Sequence, residues 1–313
     1  MKINLDYSSR VPEKVEPIGK QISVSLLIKE VNHLQDTNKS FLRKGALELF
    51  CTKHIEIPAL MYEIGRQREI TFRKVGEGSN KSIDLDTFDK TYNHLLIWDH
   101  MLNQLVGAYR IGNGKELMKK EGIETLYTST LFNFDKKIEP ILAQGIELGR
   151  SFITPSYQRK TLPLYLLWYG IFKFVRLNPW CKYLYGPVSI SNNLCKLEKD
   201  RIVSYINKHH RHSAYSVYVS CKNKYTVDSD YDFEKDNPDF KELKLPILFR
   251  KYIHINGKII EFNIDPLFNN SLDGFLFLDF AKIPHSFIER FYAYEAVDSL
   301  ETEDNILIPN VRN

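Results

Sequence analysis

A chain of 313 residues with 43% hydrophobic and 13% aromatic content can bury a large core but is short for two full domains, so one elaborated domain is expected. A formal net charge of only +4 excludes the basic excess of a dedicated nucleic-acid binder. The four cysteines, Cys51, Cys181, Cys195 and Cys221, lack C-x-x-C spacing, which argues against zinc or redox pairs and suits a reducing cytosol.

The opening Met1-Lys2-Ile3-Asn4-Leu5-Asp6 is polar with no apolar stretch behind it, so no signal peptide is expected. Residues 1–40, polar apart from Ser23 to Ile28, read as an arm or entry helix ahead of a single domain over 41–313. A helix is expected over 58–75, starting at Pro58, a favoured first-turn position. The run Gly76-Glu77-Gly78-Ser79-Asn80 reads as a loop. Asn93 to Asp99 and Gln104 to Ile111 form an expected hairpin around His100 to Asn103. A strand containing Glu147 follows a variable connection. Thr161 to Leu177 reads as a helix stopped by Asn178-Pro179. Next come a strand at Tyr183 to Ile190, a charged helix around Leu197 to Asn207 and an acidic surface loop from Val227 to Asp239. Lys258 to Ile264 and Gly274 to Phe280 pair as strands, and Pro284 to Val297 closes the chain as a helix.

This order predicts a mixed α/β fold with a largely antiparallel sheet, not a doubly wound one. The dinucleotide and P-loop glycine motifs do not occur. The longest apolar run, Leu162 to Phe172, covers 11 residues, too few to span a bilayer. The chain is therefore expected to be soluble, or to bind only at a membrane surface, and the run itself reads as a buried helix face.

Ile146-Glu147-Leu148-Gly149-Arg150-Ser151-Phe152 places a carboxylate and a guanidinium on an apolar strand. Buried charges are costly unless paired or used, so this segment reads as the floor of a polar site. Residues three apart on a regular strand face opposite ways, so Glu147 and Arg150 share a pocket only if a bulge near Gly149 shifts the register. Other charged pieces stand in order before it: Arg68 to Phe72 on the first helix, Asp86-Thr87-Phe88-Asp89 in the next loop, and Gly107-Ala108-Tyr109-Arg110 at the hairpin's end.

The series R-x-x-x-F, D-x-x-D, G-x-x-R, E-x-x-R resembles that of acyl-homoserine-lactone autoinducer synthases. The Glu147 to Tyr157 run, with Leu166-Leu167-Trp168-Tyr169-Gly170-Ile171, Leu245 to Tyr252 and Asp265-Pro266-Leu267-Phe268-Asn269, is more similar to the amino-acid N-acyltransferases of ornithine and glycine lipids, often labelled hemolysin-like. The resemblance covers roughly residues 45 to 282. It implies a Gcn5-related N-acetyltransferase-like fold: a mixed, largely antiparallel sheet flanked by helices, with N- and C-terminal elaborations. It also implies transfer of a long, in some members 3-hydroxylated, fatty acyl chain from acyl carrier protein to the α-amine of glycine, ornithine or a similar amino acid. The product is a lyso-aminolipid made in the cytoplasm or at the inner membrane face. The alternatives are an autoinducer synthase and a non-catalytic carrier- or lipid-binding protein on the same fold.

An α-ammonium must lose a proton before it attacks a thioester, and Glu147 is the chosen base. A backbone N–H at the bulge between Gly149 and Phe152 is the expected oxyanion donor. Arg110 and Arg150 either hold Asp86, Asp89 and Glu147 in a buried ion network or grip the acceptor's carboxylate. Arg68, Phe72, Asp86, Asp89 and Ser151 are the expected substrate-binding set. Tyr185, Ser189 and Ser191 are open choices for the general acid. Acetyl-CoA enzymes of this superfamily carry a glycine-rich pyrophosphate loop; here Gln158-Arg159-Lys160-Thr161-Leu162-Pro163 has no glycine. That favours acyl-phosphopantetheine on a carrier protein over acyl-CoA, with Arg159 and Lys160, beside Lys173 and Arg176, docking the acidic carrier. No tightly bound cofactor and no metal are expected. His94 and Asp99 match H-x-x-x-x-D, but an offset of five on a strand turns them to opposite faces. His209, His210 and His212 read as a solvated basic patch. No nucleophile elbow occurs, so direct attack is expected rather than an acyl-enzyme.

Overall fold

The apolar patch at Ser23 to Ile28 opens a helix that packs on the sheet, because Leu27, Val31 and Leu34 recur at helical spacing and are all buried. The computed structural model describes residues 5–8 and 12–296. This first helix is α1 (Val24–Asp36). A hairpin not expected from the sequence follows, β1 (Ser40–Lys44) and β2 (Leu47–Lys53), and then α2 (Pro58–Lys74), starting at the expected proline. In the hairpin of β3 (Asn93–Asp99) and β4 (Gln104–Asn113) the Asp99 carboxylate accepts the N–H groups of Met101 and Leu102 at 2.8 and 2.9 Å. Asn103 closes the turn at φ 48°, a conformation that asparagine tolerates.

The connection to the Glu147 strand has structure of its own: α3 (Gly114–Glu121), β5 (Phe132–Phe134) and α4 (Glu139–Leu142). The rest follows as β6 (Gly145–Ile153), α5 (Thr161–Arg176), β7 (Tyr183–Ile190), α6 (Lys196–His209), α7 (Ser213–Ser216), β8 (Val219–Cys221), α8 (Phe233–Asp236), α9 (Ile247–His254), β9 (Lys258–Asp265), β10 (Ser271–Asp279) and α10 (His285–Ala296). β10 starts three residues earlier than its apolar run suggested, which brings Asp273 into the sheet. Val297, the expected end of the last helix, lies outside the described residues.

Eight strands form one sheet in the order β1-β2-β3-β4-β6-β7-β10-β9, and β5 pairs with β8 separately. Every neighbouring pair is antiparallel except β6 and β7. The chain is thus the expected mixed α/β fold. β3 and β4 are buried almost throughout because both sheet faces are covered. One face packs Leu95, Ile111, Leu148, Leu184 and Leu276 against α5 and α9. The other packs Phe50, Leu96 and Phe152 against α1 and α2, and further along it Tyr185, Phe275 and Phe277 against the β5 region. Among the described residues no helix is long and apolar enough to cross a membrane.

Candidate active site

The D-x-x-D spacing is a capping box before it is anything else. Asp86 accepts the N–H groups of Phe88 and Asp89 at 3.0 and 3.3 Å, and Asp89 accepts that of Asp86 at 2.9 Å. The outer lone pairs then meet arginines from three elements. Arg68 of α2 binds Asp89 at 3.2 Å and the Asp84 carbonyl at 3.1 Å. Arg110 of β4 binds Asp86 at 2.5 Å and Asp89 at 3.3 Å. Arg150 of β6 binds Asp86 at 3.0 Å and Asp84 at 3.2 Å. Five of them are buried and Arg150 is only slightly exposed, and three cations stand against three anions, as a low-dielectric interior demands. Burial alone would raise the Asp89 carboxyl, but Arg68 and Arg110 outweigh it and hold that group well below the usual carboxylate range. At Asp84 burial wins over Arg150 and Arg68, and its carboxyl is pushed up.

A bulge lies where the sequence required one. Ala108 pairs with Phe152 and Arg110 with Gly149, so Arg150 and Ser151 together face Tyr109. The strained residue is Arg150, at φ 53°, a conformation costing a non-glycine residue about 1 kcal/mol. Its ion pairs to Asp84 and Asp86 offset that. The shift turns Arg150 to the same face as Glu147, and Tyr127 touches both. The Tyr127 N–H donates to Glu147 at 2.9 Å, and its ring lies 4.7 Å from the Arg150 guanidinium, which has Phe268 at 4.0 Å.

Glu147 itself is closed off. Its carboxylate accepts the Tyr92 and Thr128 hydroxyls and the N–H groups of Tyr127 and Thr128 at 2.9 and 2.6 Å. That occupies its four lone-pair directions at 1% exposure. Burial pushes its carboxyl up despite these donors.

An opening lies beside it. β6 and β7 pair only at Gly145–Tyr183, Ile146–Leu184 and Glu147–Tyr185, yet both strands run on. They splay beyond that point. Gly186 sits at the apex, with φ 147° and a position where a Cβ would lie 2.2 Å from the Leu148 carbonyl oxygen, so only glycine fits. Between the strands is a cavity of about 440 Å³. On the α5 and α9 side its walls are apolar, including Leu148, Val188, Leu245, Leu248 and Leu276; on the other side stand Tyr127, Arg150, Glu77, Asp265, Asp273 and Ser189. Burial pushes Glu77 up to about 7, Asp265 upward, and Asp273 well above the usual carboxylate range, with Asp265 adding to the last.

Of the residues expected from the sequence, Arg150, Phe72 and Ser151 line this cavity. Arg68, Arg110, Asp86, Asp89 and Glu147 do not; they form a buried support behind it. There Arg68 and Arg110 share Asp89 and Arg110 also binds Asp86, while Nε of Arg68 and Nε and Nη2 of Arg110 are buried without a hydrogen-bond partner. Glu77, Asp265 and Asp273 were missed. Glu77 lies in a glycine-flanked segment that gives no cue beyond a loop, and Asp273 precedes the apolar run of its strand, though a carboxylate among Leu272, Phe275 and Leu276 is the same cue that Glu147 offers.

Arg159 and Lys160 are exposed just before α5, Lys160 lying 4.5 Å over the Tyr157 ring. Lys173 instead donates to the Phe41 carbonyl at 2.7 Å. Among the candidate acids, Tyr185 donates to the Leu142 carbonyl at 3.0 Å, Ser191 to the Val75 carbonyl at 2.5 Å, and Ser189 stands opposite Asp273 across β7 and β10. His94 contacts the Asp89 carbonyl at 2.8 Å, while Asp99 caps the hairpin and accepts the Tyr157 hydroxyl at 2.5 Å, so the two act separately.

Residues 67–168, from α2 into α5, match the acetyltransferase (GNAT) domain family. The chain is 32% identical over 208 residues to a glycine N(alpha)-acyltransferase of Phocaeicola vulgatus, covering 63% of this chain and 62% of that protein. It is 33% identical over 206 residues to one of Bacteroides thetaiotaomicron, covering 62% and 60%. The chain thus spans roughly three fifths of the length of these relatives. Two CoA-dependent acyl-homoserine lactone synthases, BjaI and MesI, are each 11% identical over 79% of this chain and 88% and 95% of theirs, with TM-scores of 0.35 and 0.37.

Proposed function

We propose that this chain is an N-acyltransferase that moves a long fatty acyl chain from a carrier thioester to the α-amine of an amino acid. The observation that carries the reading is the cavity between the splayed β6 and β7, apolar on one side and ionic on the other. An acyl chain suits the first wall and a zwitterionic acceptor the second. The carbonyl carbon then lies near the open edge of β6, where backbone N–H groups at Arg150 and Ser151 can stabilise the oxyanion. The amine loses a proton, nitrogen bonds to the carbonyl carbon, and the carbon–sulfur bond breaks with the thiolate leaving.

Glycine is the favoured acceptor, since both similar proteins carry that name; ornithine is the other amino acid the sequence suggests. The turn before α5 has no glycine, and Pro163 removes one N–H from the first helical turn. This supports an acyl carrier protein as donor over CoA, since a pyrophosphate needs such open donors. Arg159 and Lys160 are the docking residues in this reading, and the product is a lyso-aminolipid released at a membrane face.

Purified protein supplied with long-chain acyl carrier protein or acyl-CoA, and with glycine or ornithine, should yield an N-acyl amino acid by mass spectrometry. The carrier-bound donor should give the higher kcat/KM. No amide product with any pair of substrates would sink the reading, and preference for a short-chain acyl-CoA would overturn the carrier assignment.

A further inference from the structure

We infer that Asp265 and Asp273 bind the ammonium group of a zwitterionic amino acid, and that Asp273 takes its proton. This rests on the acyl-transfer reading and goes beyond it by assigning the base and the charge pattern of the acceptor.

The placement follows from register. Ser271 pairs with Asp265, and Asp273 pairs with Asn263 on β9 and with Ser189 on β7. Asp265 and Asp273 are therefore diagonal neighbours on one sheet face, close enough for their side chains to interact. Both are buried, at 1% and 2% exposure, and both line the cavity. They differ in their partners. Asp265 accepts the Leu267 N–H at 2.9 Å and the Tyr127 hydroxyl at 3.1 Å. Asp273 has Ser189 opposite it on β7, but its Oδ1 is buried without any partner. A buried carboxylate oxygen with nothing to accept is expensive, and a missing donor is the simplest account of it.

Charge identifies the donor. Glu77, Asp265 and Asp273 bring three carboxyl groups to the polar wall, and each is held above its ordinary range. Arg150 is the guanidinium facing Asp265 and Asp273, but it is already paired with Asp84 and Asp86 and stacked on Tyr127 and Phe268. A further cation with several N–H donors satisfies this wall, and an ammonium group carries three. Arg150 stands on the same wall, and its charge, though shared with Asp84 and Asp86, is the one that an α-carboxylate beside the ammonium meets. The pattern fits a zwitterion.

Glu147 offers the contrast. Its lone pairs are filled by protein donors, whereas Asp273 lines the cavity with a buried Oδ1 that has no partner. The ammonium gives one proton to Asp273, and the freed lone pair forms the bond to the thioester carbonyl carbon. The carbon–sulfur bond then breaks, the nitrogen's second proton leaves with the thiolate as thiol, and Asp273 returns its proton to water.

The test compares Asp273→Asn with the parent protein on two acceptors. Glycine is protonated near neutral pH, whereas aminoacetonitrile has an amine that is already unprotonated there. With glycine the variant should lose about 100-fold or more in kcat/KM, the scale of a general base; with aminoacetonitrile it should lose less than about tenfold. Thermal melting at pH 8 should show the variant at least as stable as the parent, since a partnerless buried carboxylate has gone. If Asp273→Asn does not fold, Ser189→Ala and Asp265→Asn carry the same two-acceptor comparison. Equal losses on both acceptors, or none, would overturn the ammonium site while leaving acyl transfer intact. A parent protein that acylates neither amine removes the reading on which the site rests.

Discussion

Glu147 and Asp273 are both buried carboxylates on neighbouring regions of one sheet, and their surroundings give them opposite tasks. Four donors close around Glu147, which ties Tyr92, Tyr127 and Thr128 to β6. Replacing it by glutamine turns one acceptor into a donor facing donors. Glu147→Gln is therefore expected to lose about 3 kcal/mol of stability, the cost of unsatisfied buried groups, read as a lower urea midpoint. It should also weaken acceptor binding, because Tyr127 sets the Arg150 guanidinium. An unchanged midpoint with catalysis abolished would instead return the base role to Glu147. The sequence made Glu147, Arg150, Arg110, Asp86 and Asp89 legible as a charged cluster. It did not reveal which of them reach the cavity, because that depends on where each lone pair is used. A capping box and a substrate clamp are written with the same letters.

At the scale of the elements, the site is made by two irregularities in adjoining strands. The bulge was legible from the E-x-x-R spacing, since nothing else brings Glu147 and Arg150 to one face. Its strained position was not. Gly149 invited that role, yet Arg150 carries the positive φ because its ion pairs offset the strain. The splay was not legible either, since β7 reads as an ordinary apolar strand and Gly186 as a weak point in it. The two glycines therefore make a paired prediction. Gly149→Ala meets nothing within 4 Å, so its folding stability should stay within about 0.5 kcal/mol of the parent. Gly186→Ala drives a Cβ against the Leu148 carbonyl oxygen at a φ of 147° and should cost about 3 kcal/mol or more. Denaturation curves of the two variants settle the comparison. Similar midpoints would mean that the apex of the wedge tolerates a side chain and that another feature holds β6 and β7 apart.

For the whole molecule, the order of strands was largely readable from hydrophobic runs and turn residues. The additions came from segments with weak local patterns: the β1–β2 hairpin at the sheet edge and, at the site itself, the turns around Tyr127 and the first residues of β10. Their positions are set by long-range contacts, Tyr127 to Asp265 and Asp273 to its neighbours across β7 and β9, which no short window contains. The same distribution separates the chemistry from donor delivery. The cavity lies within the sheet, whereas Arg159 and Lys160 stand exposed ahead of α5 on a chain whose net charge is only +4. A docking contribution must therefore be local, and exposed charges act mainly through encounter and are screened by salt. For the parent protein, KM with an acyl carrier protein should rise steeply between low and physiological ionic strength. In the double variant Arg159→Glu, Lys160→Glu, KM at low salt should be raised about tenfold and its salt dependence flattened, because the attraction that salt screens has been removed. A double variant with the parent's KM and salt slope would place the carrier elsewhere on the surface, and the turn before α5 would then be only a helix entrance.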